Sequence, residues 1–423
     1  MKISSKNIDR LKLDSIKFSK FWSGDKKKEL KMHNIHAYPA KFPSFVVTRS
    51  IKYAKHRNKK VKVIADIFCG CGTTGLEAMI NGIDFWGCDL NPVATLIARV
   101  KSQRYSQTKI RKYSNDILLA YENGRKINKN IIEENERIKY WFNEKEITDL
   151  YKLLSIIREL VKDKKYQNYY LLAFSNILKG TSKWLTKSIK PQIDPQKKIA
   201  NVIDLFKKQL NFMESAVLEV DKNEGKNKSK IITGNFTKLK FKKPFTDMVV
   251  TSPPYATSYE YADLHQLSVL WLKYAQDYRD LRDGSIGSLY KHNLLRADIE
   301  KNLNSVGLDV FNRLYSKDKH RATSVARYFI DLDKTIINIK KILRKNGILI
   351  MVIGNTEYKG IEVNNTKYVI KSLIKNNFSE INLYKRKVSS KILTPYRDKE
   401  GKFSSNSLNR KVYGHEFVIS ATK

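Results

Sequence analysis

The stretch that most constrains this chain is a buried strand running straight into a glycine-rich turn. Val61 to Phe68 (VKVIADIF) has the apolar, β-branched character of a strand covered on both faces. Cys69-Gly70-Cys71-Gly72-Thr73 follows at once, and Thr74 to Asn81 (TGLEAMIN) reads as a helix. A second strand, Ile83 to Asp89, leads into a segment with Val93, Leu96, Ile97 and Val100 at helical spacing. Strand, turn, helix, strand, helix is the front half of a doubly wound α/β sheet.

The next strand signal of this kind, Lys230 to Thr233, comes late. Residues 102–229 read as a mostly helical insertion, with one amphipathic helix marked by Ile147, Leu150, Leu153, Leu154, Ile157, Leu160 and Val161. Another begins at Tyr169, and the polar run Asp221 to Lys230 is the best linker candidate. The α/β pattern then resumes with a strand, Asp247 to Thr251, and a variable stretch to about Arg321. Ser324 to Arg344 has helical spacing that Asn346-Gly347 stops, before a strand at Ile348 to Ile353 and a helix at Tyr368 to Lys375. Two last strands, Ile381 to Lys385 and Glu416 to Ala421, are expected to close the sheet as a hairpin across an ordered loop. The expected organisation is a basic segment over 1–60, a first core part over 61–101, the insertion over 102–229 and a second core part over 230–423. Within the last, 256–322 is expected to be variable.

Charge narrows the partners. Lys and Arg number 81 against 42 Asp and Glu, a formal net charge of +39, while 41% of the residues are hydrophobic, enough for a sizeable core. Part of the surplus reflects the abundance of Lys, Asn and Ile throughout, but it favours a polyanion, either nucleic acid or an anionic membrane surface. The longest apolar stretch, Ile348 to Gly354, falls far short of the ~20 residues that span a bilayer. Met1 to Asp14 carries charges throughout and does not read as a secretory signal. Three cysteines, Cys69, Cys71 and Cys88, fit a reducing cytoplasm.

A strand ending in Gly70-x-Gly72 makes a tight turn against which a ligand can lie. Asp89, 19 residues beyond Gly70, is placed to accept hydrogen bonds from ribose hydroxyls. The string Gly70-x-Gly72-x-x-Gly75 also matches the dinucleotide fingerprint, so a nicotinamide enzyme stands as a rival. Asp66 is expected to set a carboxylate beside the loop. That suits S-adenosylmethionine, which carries an ammonium and a sulfonium, better than a pyrophosphate. The thiols of Cys69 and Cys71 lie in the turn, and no second ligand pair occurs to complete a metal site.

Thr251-Ser252-Pro253-Pro254-Tyr255 ends a strand at the carboxyl edge, where open α/β sheets bind ligands. Two prolines impose an extended course and remove two N–H donors. Carbonyl acceptors are then left beside a rigid aromatic ring, an arrangement suited to a planar base bearing an amino group.

Taken together, these motifs resemble the amino-group DNA methyltransferases that use S-adenosylmethionine. The resemblance covers roughly residues 33–100 and 230–423. It implies a Rossmann-like methyltransferase sheet, with Ser252, Pro253, Pro254 and Tyr255 as the catalytic motif. Asp66, Phe68, Gly70, Gly72, Thr73 and Thr74 resemble the cofactor loop, and Gly87 to Pro92 (GCDLNP) resembles the family's segment around the ribose-binding acid, here Asp89. His36 to Pro43 (HAYPAKFP) looks like the wall on the methionine side, through Tyr38 and Pro39. Asn235 sits where the family has a strand end near the adenine, usually with Asp.

Within the family, Ser before Pro-Pro is typical of cytosine-N4 enzymes, and Asp or Asn of adenine-N6 enzymes. The implied partner is double-stranded DNA with its target base flipped, with a separately encoded restriction endonuclease as a companion. No Pro-Cys pair is present, so the cysteine addition of C5-cytosine methylation has no candidate residue. Target recognition is expected from the insertion and the 256–322 segment acting as jaws, the latter with Tyr259, Tyr261, Trp271, Arg279, Arg282 and Lys291. Ser252 thus favours cytosine-N4, while an adenine-N6 DNA methyltransferase, an RNA methyltransferase, a nicotinamide oxidoreductase and a non-catalytic binder stay open as alternatives at this level.

Overall fold

The computed structural model describes residues 1–24, 29–39, 41, 43–124, 135–188, 190–220, 227–256, 261–286, 294–388, 396–397, 403–404, 410–411 and 414–423. Seven strands form its main sheet: β1 Val63–Asp66, β2 Asp84–Asp89, β3 Ser229–Thr233, β4 Thr246–Thr251, β5 Leu343–Ile353, β6 Ser379–Lys387 and β7 His415–Thr422. Their order is β3-β2-β1-β4-β5-β7-β6. All neighbours are parallel except at β7, which runs antiparallel to both β5 and β6. This is the Rossmann-like doubly wound sheet expected, with β7 inserted between β5 and β6. The loop expected to be ordered between the last two strands lies largely outside the described residues, as does much of the cation-rich run 385–411. Three described pieces of it, Tyr396–Arg397, Phe403–Ser404 and Arg410–Lys411, pair antiparallel.

Alternation along the strands feeds two faces. Ile64, Met248, Val250, Ile350, Val352 and Val418 point to one, packed by α1 (Ser44–His56), α2 (Thr73–Ile80) and α3 (Pro92–Lys101). Outside α2 and α3 lie the helices of the insertion: α4 (Gln107–Glu122), α5 (Glu136–Trp141), α6 (Glu144–Leu160), α7 (Lys164–Ile177) and α8 (Val202–Val220). Their core is continuous with Leu76, Met79, Leu96, Ile97 and Val100. The insertion is therefore a second layer on the sheet's helices and shares their core. The short helix α9 (Gln266–Trp271) is buried in the same layer. The opposite face carries α10 (Ser305–Tyr315), α11 (Lys319–Ile342) and α12 (Asn365–Lys375) over Ala65, Val249, Leu349, Met351 and Ile419.

The described part of the basic segment 1–60 packs onto the sheet, and two expectations change. Ile3, Ile8, Leu11, Leu13 and Trp22 are buried, and isolated bridges at Lys2–Asn382 and Phe18–Lys385 lay the chain along edge strand β6. Covering an edge in this way protects it from pairing with another chain.

The long helix starts at Lys319, where Asp318 accepts from the Arg321 N–H at 2.9 Å, and β5 begins directly at Leu343. Asn346-Gly347 forms an irregularity inside that strand. Asn346 takes φ +60°, and residues 344–347 sit opposite Asp247 alone.

Trp271, placed from sequence among DNA-facing aromatics, is 1% exposed. It packs on Tyr151, Phe142 and Phe174 at ring separations of 4.7, 5.5 and 5.8 Å, because α9 is the seam between insertion and core. Tyr259, Lys291 and the Tyr261 side chain lie outside what is described. No helix among the described residues is long and apolar enough to cross a membrane.

Candidate active site

The connections leave β1 toward β2 and β4 toward β5, so the carboxyl ends of β1 and β4 bound the crevice where such sheets bind ligands. Asp66 ends β1 and Thr251 ends β4, and the Thr251 hydroxyl donates to Asp66 Oδ1 at 2.7 Å across that crevice. The Thr74 hydroxyl donates to Oδ2 at 2.6 Å and the Phe68 N–H to Oδ1 at 3.2 Å. Burial pushes the Asp66 carboxyl up to about 6, and these three donors pull against it. Asp66 does not lie beside the loop as a free carboxylate. It sits beneath it, 1% exposed, and ties the glycine-rich loop to the strand that carries Ser252.

The loop needs its glycines. Gly70 has φ +47° and Gly72 has φ +78°. A Cβ on Gly72 would lie 2.6 Å from Ala98 Cα, so α2 starts in direct contact with the backbone of α3. A Cβ on Gly70 would lie 3.4 Å from the Tyr38 hydroxyl oxygen. Tyr38, with half-buried Pro39 after it, thus walls the open side of the turn. Thr73 and Thr74 are buried in the first turn of α2, and Phe68 is half-buried at the loop's start.

Tyr38 is itself supported. Its ring stacks on His265 at 5.2 Å and 23°. Asn91 Nδ2 donates to His265 Nδ1 at 2.9 Å, while Asn91 Oδ1 caps α3 by accepting from the Val93 N–H. Nearby, His36 Nδ1 lies 2.8 Å from the Ala37 carbonyl and Nε2 lies 2.9 Å from the Ser175 hydroxyl, which reaches Ser268 at 2.7 Å. A carbonyl only accepts, so Nδ1 carries the proton, and burial pulls the His36 pKa down to about 3. This chain joins the pocket wall to the insertion through α7 and to α9.

Asp89 ends β2 with each oxygen holding one backbone N–H, Gly70 on Oδ2 and Asn91 on Oδ1, both at 2.9 Å. Burial pushes its carboxyl above the usual range. A carboxylate oxygen has two lone pairs, so each keeps one for a ribose hydroxyl. Asn235 follows β3 on the adjoining strand. Its Oδ1 accepts from the Thr237 N–H at 2.8 Å, and its Nδ2 donates to the Gly284 carbonyl at 3.0 Å. The positive-φ turn, its aromatic wall and the half-open Asp89 fit a nucleoside-bearing cofactor with no phosphate to bind.

Beyond β4, Pro253 is buried, and Ser252, Pro254 and Tyr255 are half-buried. The Tyr255 ring lies on Gly354, where a Cβ would come within 2.9 Å of Cε2. Its hydroxyl end is buried against Glu416 and Ser252, and burial, followed by the Glu416 carboxylate, pushes the phenol well above its ordinary pKa. Gly354, Glu416 and His265 were not singled out as site residues by sequence. No local motif marks them: the sheet order brings Gly354 and Glu416 to the crevice, and His265, just before α9, reaches it through its stack on Tyr38.

Residues 2–99 match a family model for N6/N4 enzymes described as DNA methylase. A Type II methyltransferase of Kocuria varians, M.MvaI, is 26% identical over 417 residues, which is 92% of this chain and 89% of that protein. Both findings support an amino-group DNA methyltransferase. Its cofactor is S-adenosylmethionine, and the nicotinamide alternative falls away. A second relative, the Type II methyltransferase M.MjaII of Methanocaldococcus jannaschii, is 30% identical over 145 residues, 33% of this chain and 26% of its own. Among solved structures, a SAM-dependent methyltransferase of Methanosarcina mazei aligns over 92% of this chain and 98% of its own, at 11% identity and TM-score 0.29. The rRNA methyltransferase aviRa of Streptomyces viridochromogenes aligns over 92% and 88%, at 9% identity and TM-score 0.30. Likeness at that level has no bearing on substrate.

Proposed function

We propose that this methyltransferase modifies the exocyclic N4 amino group of cytosine in double-stranded DNA, as the modification half of a restriction–modification pair. The observation that carries the reading is Ser252 at the carboxyl end of β4, directly before Pro253-Pro254-Tyr255. Serine in this position resembles the cytosine-N4 branch of the family, and both full-length and partial relatives are Type II methyltransferases.

When bound, S-adenosylmethionine supplies a methyl group activated by its sulfonium charge, so the protein's task is positioning. Gly70 and Gly72 would let the cofactor lie against backbone, Tyr38 and Pro39 would wall it, and Asp89 would accept from its ribose. Neither Pro253 nor Pro254 brings an N–H to the crevice. The Ser252 hydroxyl and the Pro253 carbonyl therefore act as acceptors for the two amino hydrogens of a flipped cytosine, holding the nitrogen lone pair in line with the methyl group. Tyr255 stacks on the base from below, with Gly354 admitting the ring.

The test is to express the protein in a host lacking both modifications and sequence the host DNA by a method that reads N4-methylcytosine and N6-methyladenine. N4-methylcytosine at a fixed site is expected. N6-methyladenine alone would overturn the base assignment.

A further inference from the structure

The last strand brings an ion pair to the catalytic tyrosine. Phe417 pairs with Ile353, so Glu416 lies across from Gly354, the glycine on which the Tyr255 ring rests. On its other side Glu416 pairs with Arg386 of β6. Arg386 is 1% exposed, its Nη1 is 3.3 Å from Glu416 Oε2, and its guanidinium lies 5.4 Å from the Phe45 ring centroid. Paired positions in a sheet present their side chains to one face, so Gly354, Glu416 and Arg386 form a row leading away from Tyr255. A buried arginine in such a place fixes its carboxylate partner as an acceptor, because a guanidinium offers donors only.

We propose that Glu416, anchored by Arg386, is a positioning residue that sets the hydrogen-bond direction of the catalytic serine. Glu416 accepts the proton of the Tyr255 hydroxyl; the Tyr255 oxygen then accepts from the Ser252 hydroxyl. A serine hydroxyl both donates and accepts, and a free one would present its hydrogen to the substrate in some of its rotamers. With that hydrogen committed to Tyr255, Ser252 faces the base with lone pairs alone, which is what binding an amino group requires. The proposal rests on the reading of Ser252 as acceptor for the amino group.

Steady-state kinetics and cofactor binding of four variants test it. Tyr255→Phe keeps the stacking ring and removes only the relay oxygen, and Glu416→Gln replaces a pure acceptor by a group that also donates. Each is expected to lower kcat roughly 10- to 100-fold, the range for a hydrogen bond to a charged group. KM for DNA and Kd for S-adenosylmethionine should stay within about twofold, because ring, cofactor loop and DNA surface are intact. The double variant should be no slower than the slower single one, since both break one chain. If Glu416→Gln fails to fold, with Arg386 left unpaired, Tyr255→Phe decides alone. Wild-type kcat in Tyr255→Phe overturns the proposal. Ser252→Ala separates the two levels: a slow Ser252→Ala beside a fast Tyr255→Phe sinks the relay only, whereas an unimpaired Ser252→Ala sinks the acceptor reading beneath it.

Discussion

His36 and Asp66 are buried ionisable groups on which burial acts in opposite senses. The folded pKa of His36 is pulled to about 3, against about 6.5 in an unfolded chain. Below pH 6.5 the unfolded state binds a proton that the folded state refuses, so His36 costs up to about 1.4 kcal/mol of stability per pH unit as pH falls toward 3. Asp66 is raised to about 6, against about 3.9 when unfolded. Over that window the folded state holds the extra proton, and this group's contribution is lost as pH rises through 6. In the wild type the two slopes partly cancel. His36→Asn keeps a polar group for the Ala37 carbonyl and removes only the histidine slope. Urea unfolding at pH 7.5, 6.0 and 5.0 should show the variant destabilised by a fixed amount at the highest pH. Relative to wild type it should recover stability at each step below 6.5. A difference that stays constant with pH would mean that His36 accepts a proton in the folded state.

At the scale of elements, the glycine-rich loop depends on a close approach as well as on a positive φ. Gly72→Ala forces a Cβ at φ +78° to within 2.6 Å of the α3 backbone, which has no side-chain freedom to yield. Left-handed strain and overpacking together should cost about 2–4 kcal/mol, with a matching loss of cofactor affinity. Gly124 has φ +66° but nothing within 4 Å of its Cβ position, so Gly124→Ala should cost only the strain, about 1 kcal/mol. Equal melting points for the two variants would show that α2 shifts to admit the methyl group. These loop glycines were legible in the sequence because a positive φ at a strand end needs glycine locally. The strands from β1 to β4 and helices α2 and α3 were legible for a similar reason, since their pattern is continuous and both faces are buried. Helix α1 and the buried strap Ile3 to Trp22 were not, because their apolar residues are interleaved with lysines that point to solvent. Nor could the sequence separate Trp271 from a DNA-facing aromatic. Whether an aromatic is seam or surface depends on a partner layer that lies more than 90 residues away in Phe174 and 120 or more in Phe142 and Tyr151. Glu416 is the plainest case, one carboxylate among 42 acidic residues until β7 enters the sheet beside β5.

For the whole molecule, the formal charge of +39 overstates what faces DNA. Several cations serve the fold: Lys101 is fully buried and donates to the His33 carbonyl, and Lys197 donates to the carbonyls of Lys179 and Trp184, with burial pulling it down to about 8. Arg386 is held inside by Glu416, and Arg282 by Asp263 at 2.7 Å. The remaining surplus is still large and spread over the N-terminal segment, the insertion and the second core part. A duplex lying against such a surface releases counterions for each phosphate neutralised, and the logarithm of the binding constant then falls linearly with the logarithm of salt. Six to ten phosphate contacts would cut affinity by about 10³ to 10⁵ between 50 and 200 mM salt. Fluorescence anisotropy with a cognate and a scrambled duplex across that range should give slopes of about −5 to −9 for both, with the ratio of the two affinities nearly unchanged. That ratio belongs to groups reaching base edges, which salt affects little. A slope shallower than about −3 would mean that most of the surplus lysines stand away from the duplex and reflect composition, and that a far smaller surface holds the DNA.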